Sequence, residues 1–112
     1  MRFTKNDVLI ELTLANMRDA IAAKRYEFIE RKKNMDTLAQ LGIMPSHAVE
    51  EMEELTAKNY ISGPDPDRDY PGTEPFWKFK KQISGNIVYI KFKIRYDDDG
   101  LKVVSFHFDE EE

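Results

Sequence analysis

Apolar residues recur every three or four positions through the first half of this chain and every second position through its last third. Between the two regimes lies a stretch holding four of the five prolines, within Asn59 to Phe79. Over residues 5–24, Ile10, Leu14, Met17 and Ile21 fall on one helical face, with Thr4 or Asn6 available as N-cap. Residues 25–34 (RYEFIERKKN) read as extended chain or a turn. NMDTLAQLGI reads as a short helix closed by Gly42, and PSHAVEEMEELTAKN as a third helix capped by Ser46, with Val49, Met52 and Leu55 inward. His47 falls in its first turn as an ordinary exposed histidine.

FWKFKKQI, IVYIKFKIRY and LKVVSFHF then alternate as strands do, separated by SGN and DDDG. Together these segments predict one α+β domain, with helices packed on an antiparallel β-meander. Residues 1–59 are mainly helical, 60–76 form a Pro-rich ordered arm, 77–108 a three-stranded antiparallel meander, and 109–112 an acidic tail.

A two-residue Gly85-Asn86 turn pairs Ile83 with Val88, Phe79 with Phe92 and Trp77 with Ile94, apolar against apolar each time. Lys81 against Ile90 is the one poor match. An Asp98-Asp99-Gly100 loop, with Gly100 left-handed, sets Phe92 against Phe106. The opposite face is then fixed. One row across it reads Lys80, Lys91, His107, the next reads Lys78, Lys93, Ser105, and Tyr89 lies beyond the first.

Length and charge sharpen this picture. At 112 residues the chain suffices for one core, and its 41% hydrophobic and 12% aromatic content is that of a globular protein. It has no cysteine, which excludes disulfides, thiolate metal sites and thiol nucleophiles. The start MRFTKND lacks the apolar run of a signal peptide, and no segment has the ~20 apolar residues of a membrane span. A cytoplasmic protein with no membrane partner is expected. The net charge of −4 hides an uneven distribution: residues 78–108 hold 7 basic and 3 acidic side chains, residues 61–77 hold 1 and 4.

Lysine beside lysine across strands is unfavourable by roughly 0.2–1 kcal/mol per pair. Such a face serves either as a charged coat against aggregation or as a surface for phosphates. On the second reading Lys78, Lys80, Lys93 and Arg95 hold an RNA backbone and Tyr89 stacks on a base. RNA also carries its own nucleophile, the ribose 2′-OH. Its cleavage needs a base, positive charge for the phosphorane and an acid for the 5′-oxygen, with no metal or cofactor. His107, Tyr89 and Lys91 are the candidates for these roles.

In the arm, Asp65, Asp67 and Asp69 alternate as in a calcium loop, but Tyr70 and Phe76 occupy the positions where an EF-hand needs its Gly and Glu. Flexible linkage is also a poor fit, because Tyr60-Ile61 and Phe76-Trp77 anchor both ends. An ordered arm remains, with Gly63 permitting a sharp turn. Arg68 has two destinations, the basic face as a further RNA contact or a neighbouring aspartate.

The ordered series NMDTLAQLGI, NYISGPDPDRD, Trp77, VYIKFKI and VVSFH resembles the MqsR-type toxins of bacterial type II toxin–antitoxin systems over roughly residues 25–108. The resemblance implies a RelE-like fold, mRNA interferase activity and neutralisation by a cognate antitoxin. It places the family tyrosine on Tyr89, its lysine on Lys91, and the polar residue after the tryptophan on Lys78, where relatives can have Gln. His107 stands where some relatives have Lys, which replaces one proton-transfer group by another that titrates nearer neutrality. A lysine that some relatives carry after the loop tyrosine is missing, since Ile61 and Ser62 follow Tyr60. The alternative is a non-catalytic RNA- or protein-binding module, a degenerate or phage-borne relative, with Glu110 to Glu112 folding over the face as phosphate mimics.

Overall fold

A computed structural model of the chain describes residues 4–109. Glu110 to Glu112, which the alternative reading folds over the basic face, lie outside the described residues. Helix α1 (Lys5–Ala22) starts at a reciprocal cap: the Asp7 N–H donates to Thr4 Oγ1, and the Thr4 N–H donates to the Asp7 carboxylate. Strand β1 (Tyr26–Phe28), helix α2 (Lys32–Leu41) and helix α3 (Pro45–Met52) follow. Strands β2 (Tyr60–Asp65), β3 (Phe76–Ile83), β4 (Asn86–Ile94) and β5 (Leu101–Phe108) complete the α+β fold.

The sheet has five strands in the order β1-β5-β4-β3-β2, antiparallel except for β1 beside β5. The expected meander is its centre. β1 and β2 join it from stretches without clean alternation, because a three-residue strand and a strand interrupted by Gly63-Pro64 carry little period-2 signal.

Ile10, Leu14 and Met17 of α1 and Val49 and Met52 of α3 pack with Phe79, Ile90, Phe92 and Phe106 in one core. Phe79 and Phe92 stack with ring centres 5.6 Å apart. α3 begins at Pro45 with Met44 as its N-cap, two residues earlier than a Ser46 cap would place it. His47 Nδ1, not Ser46, accepts the Met44 N–H at 3.2 Å. Gly63 takes φ +132°, and a Cβ there would lie 2.9 Å from both the Phe76 carbonyl oxygen and the Trp77 ring, so β2 reaches β3 only through a glycine.

Both hairpins differ in register from the expected pairing. The first turns on Ser84-Gly85, at φ +50° and +80°, so Ile83 meets Asn86 and Phe79 meets Ile90. Two positive φ values match the twist of the flanking strands, which the Gly85-Asn86 alternative does not do here. The first hairpin slips by two residues, so each residue of β3 keeps its face. Lys81 lies on the core side opposite Val88, and its ammonium leaves the core to meet the Glu51 carbonyl, Glu51 Oε2 and Glu54 Oε1 at the C-terminus of α3. The second hairpin has a longer loop, with Asp99 rather than Gly100 left-handed and the Gly100 N–H held by Asp98. A bulge at Val104 shifts its register midway.

α2 solves an edge problem. β1 pairs only with residues 101–103 of β5, leaving the rest of that edge exposed to the interior. Buried Asn34 takes the place of a strand there. Its Nδ2 donates to the carbonyls of Ile29 (2.9 Å) and Val104 (3.0 Å), and its Oδ1 accepts the Phe106 N–H (3.0 Å). Thr37 Oγ1 accepts the Phe108 N–H at 3.2 Å. Asn34→Ala leaves buried backbone groups unpaired, so its urea midpoint should fall by the equivalent of about 2–4 kcal/mol with little change in slope. An unchanged midpoint would refute this role for Asn34.

Candidate functional site

The sheet face opposite the helices carries Phe76, Lys78 and Lys80 on β3, Tyr89, Lys91 and Lys93 on β4, and Lys102, Ser105 and His107 on β5. The observed register reorders the expected rows. Lys80, Tyr89 and His107 now form one row, and Lys78, Lys91 and Ser105 the next. Lys93 faces Lys102. Tyr89 therefore sits between Lys80 and His107, its ring centre 5.4 Å from that of His107.

Residues 66–75 of the Pro-rich arm lie over one end of this face, and their acidic residues explain why. Lys93 is only 6% exposed and Asp67 only 7%, and they bond at 2.7 Å. Lys93 also donates to Thr73 Oγ1 at 3.1 Å. The other Asp67 oxygen accepts the N–H groups of Asp69 and Tyr70, which folds the arm back on itself. Asp65 accepts from Ser62 at 2.6 Å and lies 3.3 Å from Lys78, and Glu74 accepts the Tyr96 N–H at 3.0 Å. Asp65 and Asp67 are struts between arm and sheet, while Asp69 lines the cavities beside them. Among the described residues, no group of three metal-ligating side chains is gathered to hold an ion.

These struts divide the predicted cations. Lys93, expected on the open surface, is buried in the arm's anchor. Lys78 shares Asp65, and Lys80 lies 2.9 Å from Asp109. Arg95 sits at the end of β4, bound to Asp98 at 3.0 Å and 3.6 Å from Glu27, away from the Tyr89 row. Arg68 does not pair with a neighbouring aspartate. It lines a cavity of about 430 Å³ with Asp65, Phe76, Lys78 and Lys91.

Lys91 is the distinctive cation. It has no ion pair among the described residues, and its ammonium stands 4.3 Å from the centre of the Phe76 ring. Burial, then the charges of Lys78 and Arg31, push its pKa below the ordinary lysine value. Tyr89 moves the other way: burial pushes its pKa up despite Lys78 nearby, so it stays a hydroxyl donor at neutral pH. His107 is 8% exposed, with Nδ1 3.0 Å from the Phe108 carbonyl. In the tautomer with its proton on Nδ1, that contact is a donated hydrogen bond and Nε2 is the ring's acceptor. His107 also lines a small cavity against α2 with Lys33, Asp36 and Gln40.

Arg31, Tyr70, Phe76 and Lys102 were not among the expected site residues. They line a second cavity of about 310 Å³ that shares Lys91 with the first. Lys102 was readable from the alternation of LKVV. Arg31 was not, because it depends on the parallel docking of β1. No helix among the described residues is long and apolar enough to cross a membrane.

Lys93, through its hydrogen bond, holds the Asp67 carboxyl below the usual aspartate range. The pair's stabilisation is therefore complete above the unfolded aspartate pKa of about 3.9 and is lost as pH falls through the lower folded value. Asp67→Asn should lower stability at neutral pH and flatten the acid limb of the stability–pH curve; an acid limb identical to wild type would show the pair to be idle. No protein-family model matches this sequence, and no curated protein matches it.

Proposed function

We propose that this protein is an endoribonuclease toxin that cuts mRNA by attack of the substrate's own 2′-OH, as an MqsR-type interferase would, and that a cognate antitoxin neutralises it in the cytoplasm. The observation that carries this is the row Lys80–Tyr89–His107 beside the row Lys78–Lys91, next to a cavity of about 430 Å³ lined by Lys78, Lys91 and Arg68. A proton acceptor, a retained hydroxyl donor and an unpaired cation stand within two adjacent rows of a rigid sheet.

In this mechanism His107 takes the 2′-OH proton as the 2′-oxygen attacks phosphorus. Lys91 and the Tyr89 hydroxyl meet the charge that develops on the phosphate oxygens. The 5′-oxygen leaves as an alcohol, protonated by the imidazolium or by Lys91, and the products carry a 2′,3′-cyclic phosphate and a 5′-hydroxyl. The lowered Lys91 pKa eases proton donation from that ammonium. Arg68 and Lys78 hold flanking phosphates, and an incoming strand competes with Asp65 for Lys78.

A second reading is favoured by the carboxylates already on Lys78, Lys80 and Lys93, together with the low exposure of His107. A face so neutralised suits a non-catalytic module that binds RNA or a protein.

Induced expression separates the two. Wild type should arrest growth and fragment mRNA, while folded His107→Ala and Lys91→Ala leave it intact; in vitro, His107→Ala should lower the cleavage rate about 10²–10⁴-fold. Intact mRNA in cells making folded wild type would overturn the enzyme and leave the binding module.

A further inference from the structure

The second cavity has features that cleavage chemistry does not use. Tyr70 is 68% exposed, yet its backbone is held on both sides. Its N–H donates to Asp67 at 3.2 Å, and its carbonyl accepts from the Thr73 hydroxyl at 2.7 Å and the Thr73 N–H at 3.3 Å. The turn that carries it hangs from the buried Asp67–Lys93 pair. A large aromatic ring is thus presented to solvent from a pinned turn, at the boundary between this cavity and a smaller one lined by Arg95 and Lys102.

The cavity's remaining walls match one nucleotide. Ile29, Phe76 and Val104 supply apolar surface, the last through the β5 bulge. Arg31 and Lys102 supply positive charge, and neither has an ion pair among the described residues. Its volume of about 310 Å³ lies at the lower end of the ~300–1,000 Å³ typical of small-ligand sites. Asp67 is already neutralised by Lys93, but Asp69 also lines the cavity and opposes phosphate there, so affinity cannot rest on charge alone. An exposed aromatic beside a cationic track is the arrangement by which proteins hold single strands, with bases stacked on the ring.

We infer that Tyr70 is a base-stacking platform for a nucleotide flanking the cleaved bond, with that nucleotide's phosphate on Arg31 and Lys102 and the reacting phosphate on the far side at Lys91. This rests on the ribonuclease proposal, since it assigns a second subsite of the same groove. It makes Tyr70 a positioning residue for single-stranded RNA.

The test is anisotropy titration of a fluorescein-labelled 2′-O-methyl RNA, which cannot be cut, against wild type, Tyr70→Ala, Tyr70→Phe, Tyr70→Trp, Arg31→Ala and Lys91→Ala, each checked for folding by urea midpoint. Tyr70→Ala should weaken binding about tenfold, while Phe and Trp stay within about twofold of wild type. The slope of log affinity against log salt should be unchanged in Tyr70→Ala and smaller by about one in Arg31→Ala. In Tyr70→Trp the added exposed indole should be quenched on binding, unlike the buried Trp77. If Tyr70→Ala binds as wild type while Lys91→Ala is weakened, the stacking subsite is wrong and RNA binding stands. If wild type binds no RNA even at low salt, both this inference and the ribonuclease proposal fall.

Discussion

The outer face of this protein depends on one buried ion pair, Asp67 with Lys93. Taking two charges out of water is costly, and such a pair is weak support for stability unless its remaining hydrogen-bonding capacity is met. Here it is met. Lys93 reaches Thr73 as well, and the second Asp67 oxygen closes a turn through the Asp69 and Tyr70 N–H groups. The pair's main consequence is geometric, because it pins a proline-rich segment over one end of the sheet. Without it the two cavities flanking Lys91 would lose a wall, and Tyr70 its fixed position.

The same interaction sorts the lysines of the face. Periodicity alone makes Lys78, Lys80, Lys91 and Lys93 equivalent, one continuous basic surface. The arm and Asp109 bring carboxylates to three of them and leave Lys91, which is instead pressed by Phe76, Lys78 and Arg31. Lysine-on-lysine pairing persists at Lys78–Lys91 and Lys93–Lys102, and the mixed signs that relieve it come from outside the strands. Positive charge without a carboxylate partner is therefore local to the Lys91 groove, in a chain whose net charge is −4.

The α+β class, the faces of β3, β4 and the last four residues of β5, and the inward side of α1 were legible because each rests on periodicity, whereas the bulge at Val104 reverses the faces expected for residues 101–103. Register was less so. Moving the first turn from Gly85-Asn86 to Ser84-Gly85 changes every partner while preserving every face, and alternation cannot distinguish the two. That shift brought Tyr89 opposite Lys80, and the changed register of the second hairpin brought it opposite His107, so the Tyr89–His107 contact was hidden in turn geometry. The edge role of Asn34 and the place of Arg31 were also invisible, since both arise from contacts about seventy residues apart in sequence, as in the Asn34 bonds to Val104 and Phe106. The three aspartates were visible as a pattern, and their partners were not. An acidic strut and an acidic ligand set look alike until the lysines opposite them are known.

The chemistry proposed for the Tyr89–Lys91–His107 cluster is tested most directly at the ends of the RNA it leaves. Mass spectrometry of a single-stranded RNA incubated with the purified protein should show 2′,3′-cyclic phosphate on one fragment and a 5′-hydroxyl on the other. Uncut RNA, or fragments ending in 3′-hydroxyl and 5′-phosphate, would contradict attack by the 2′-oxygen and the roles assigned to this face.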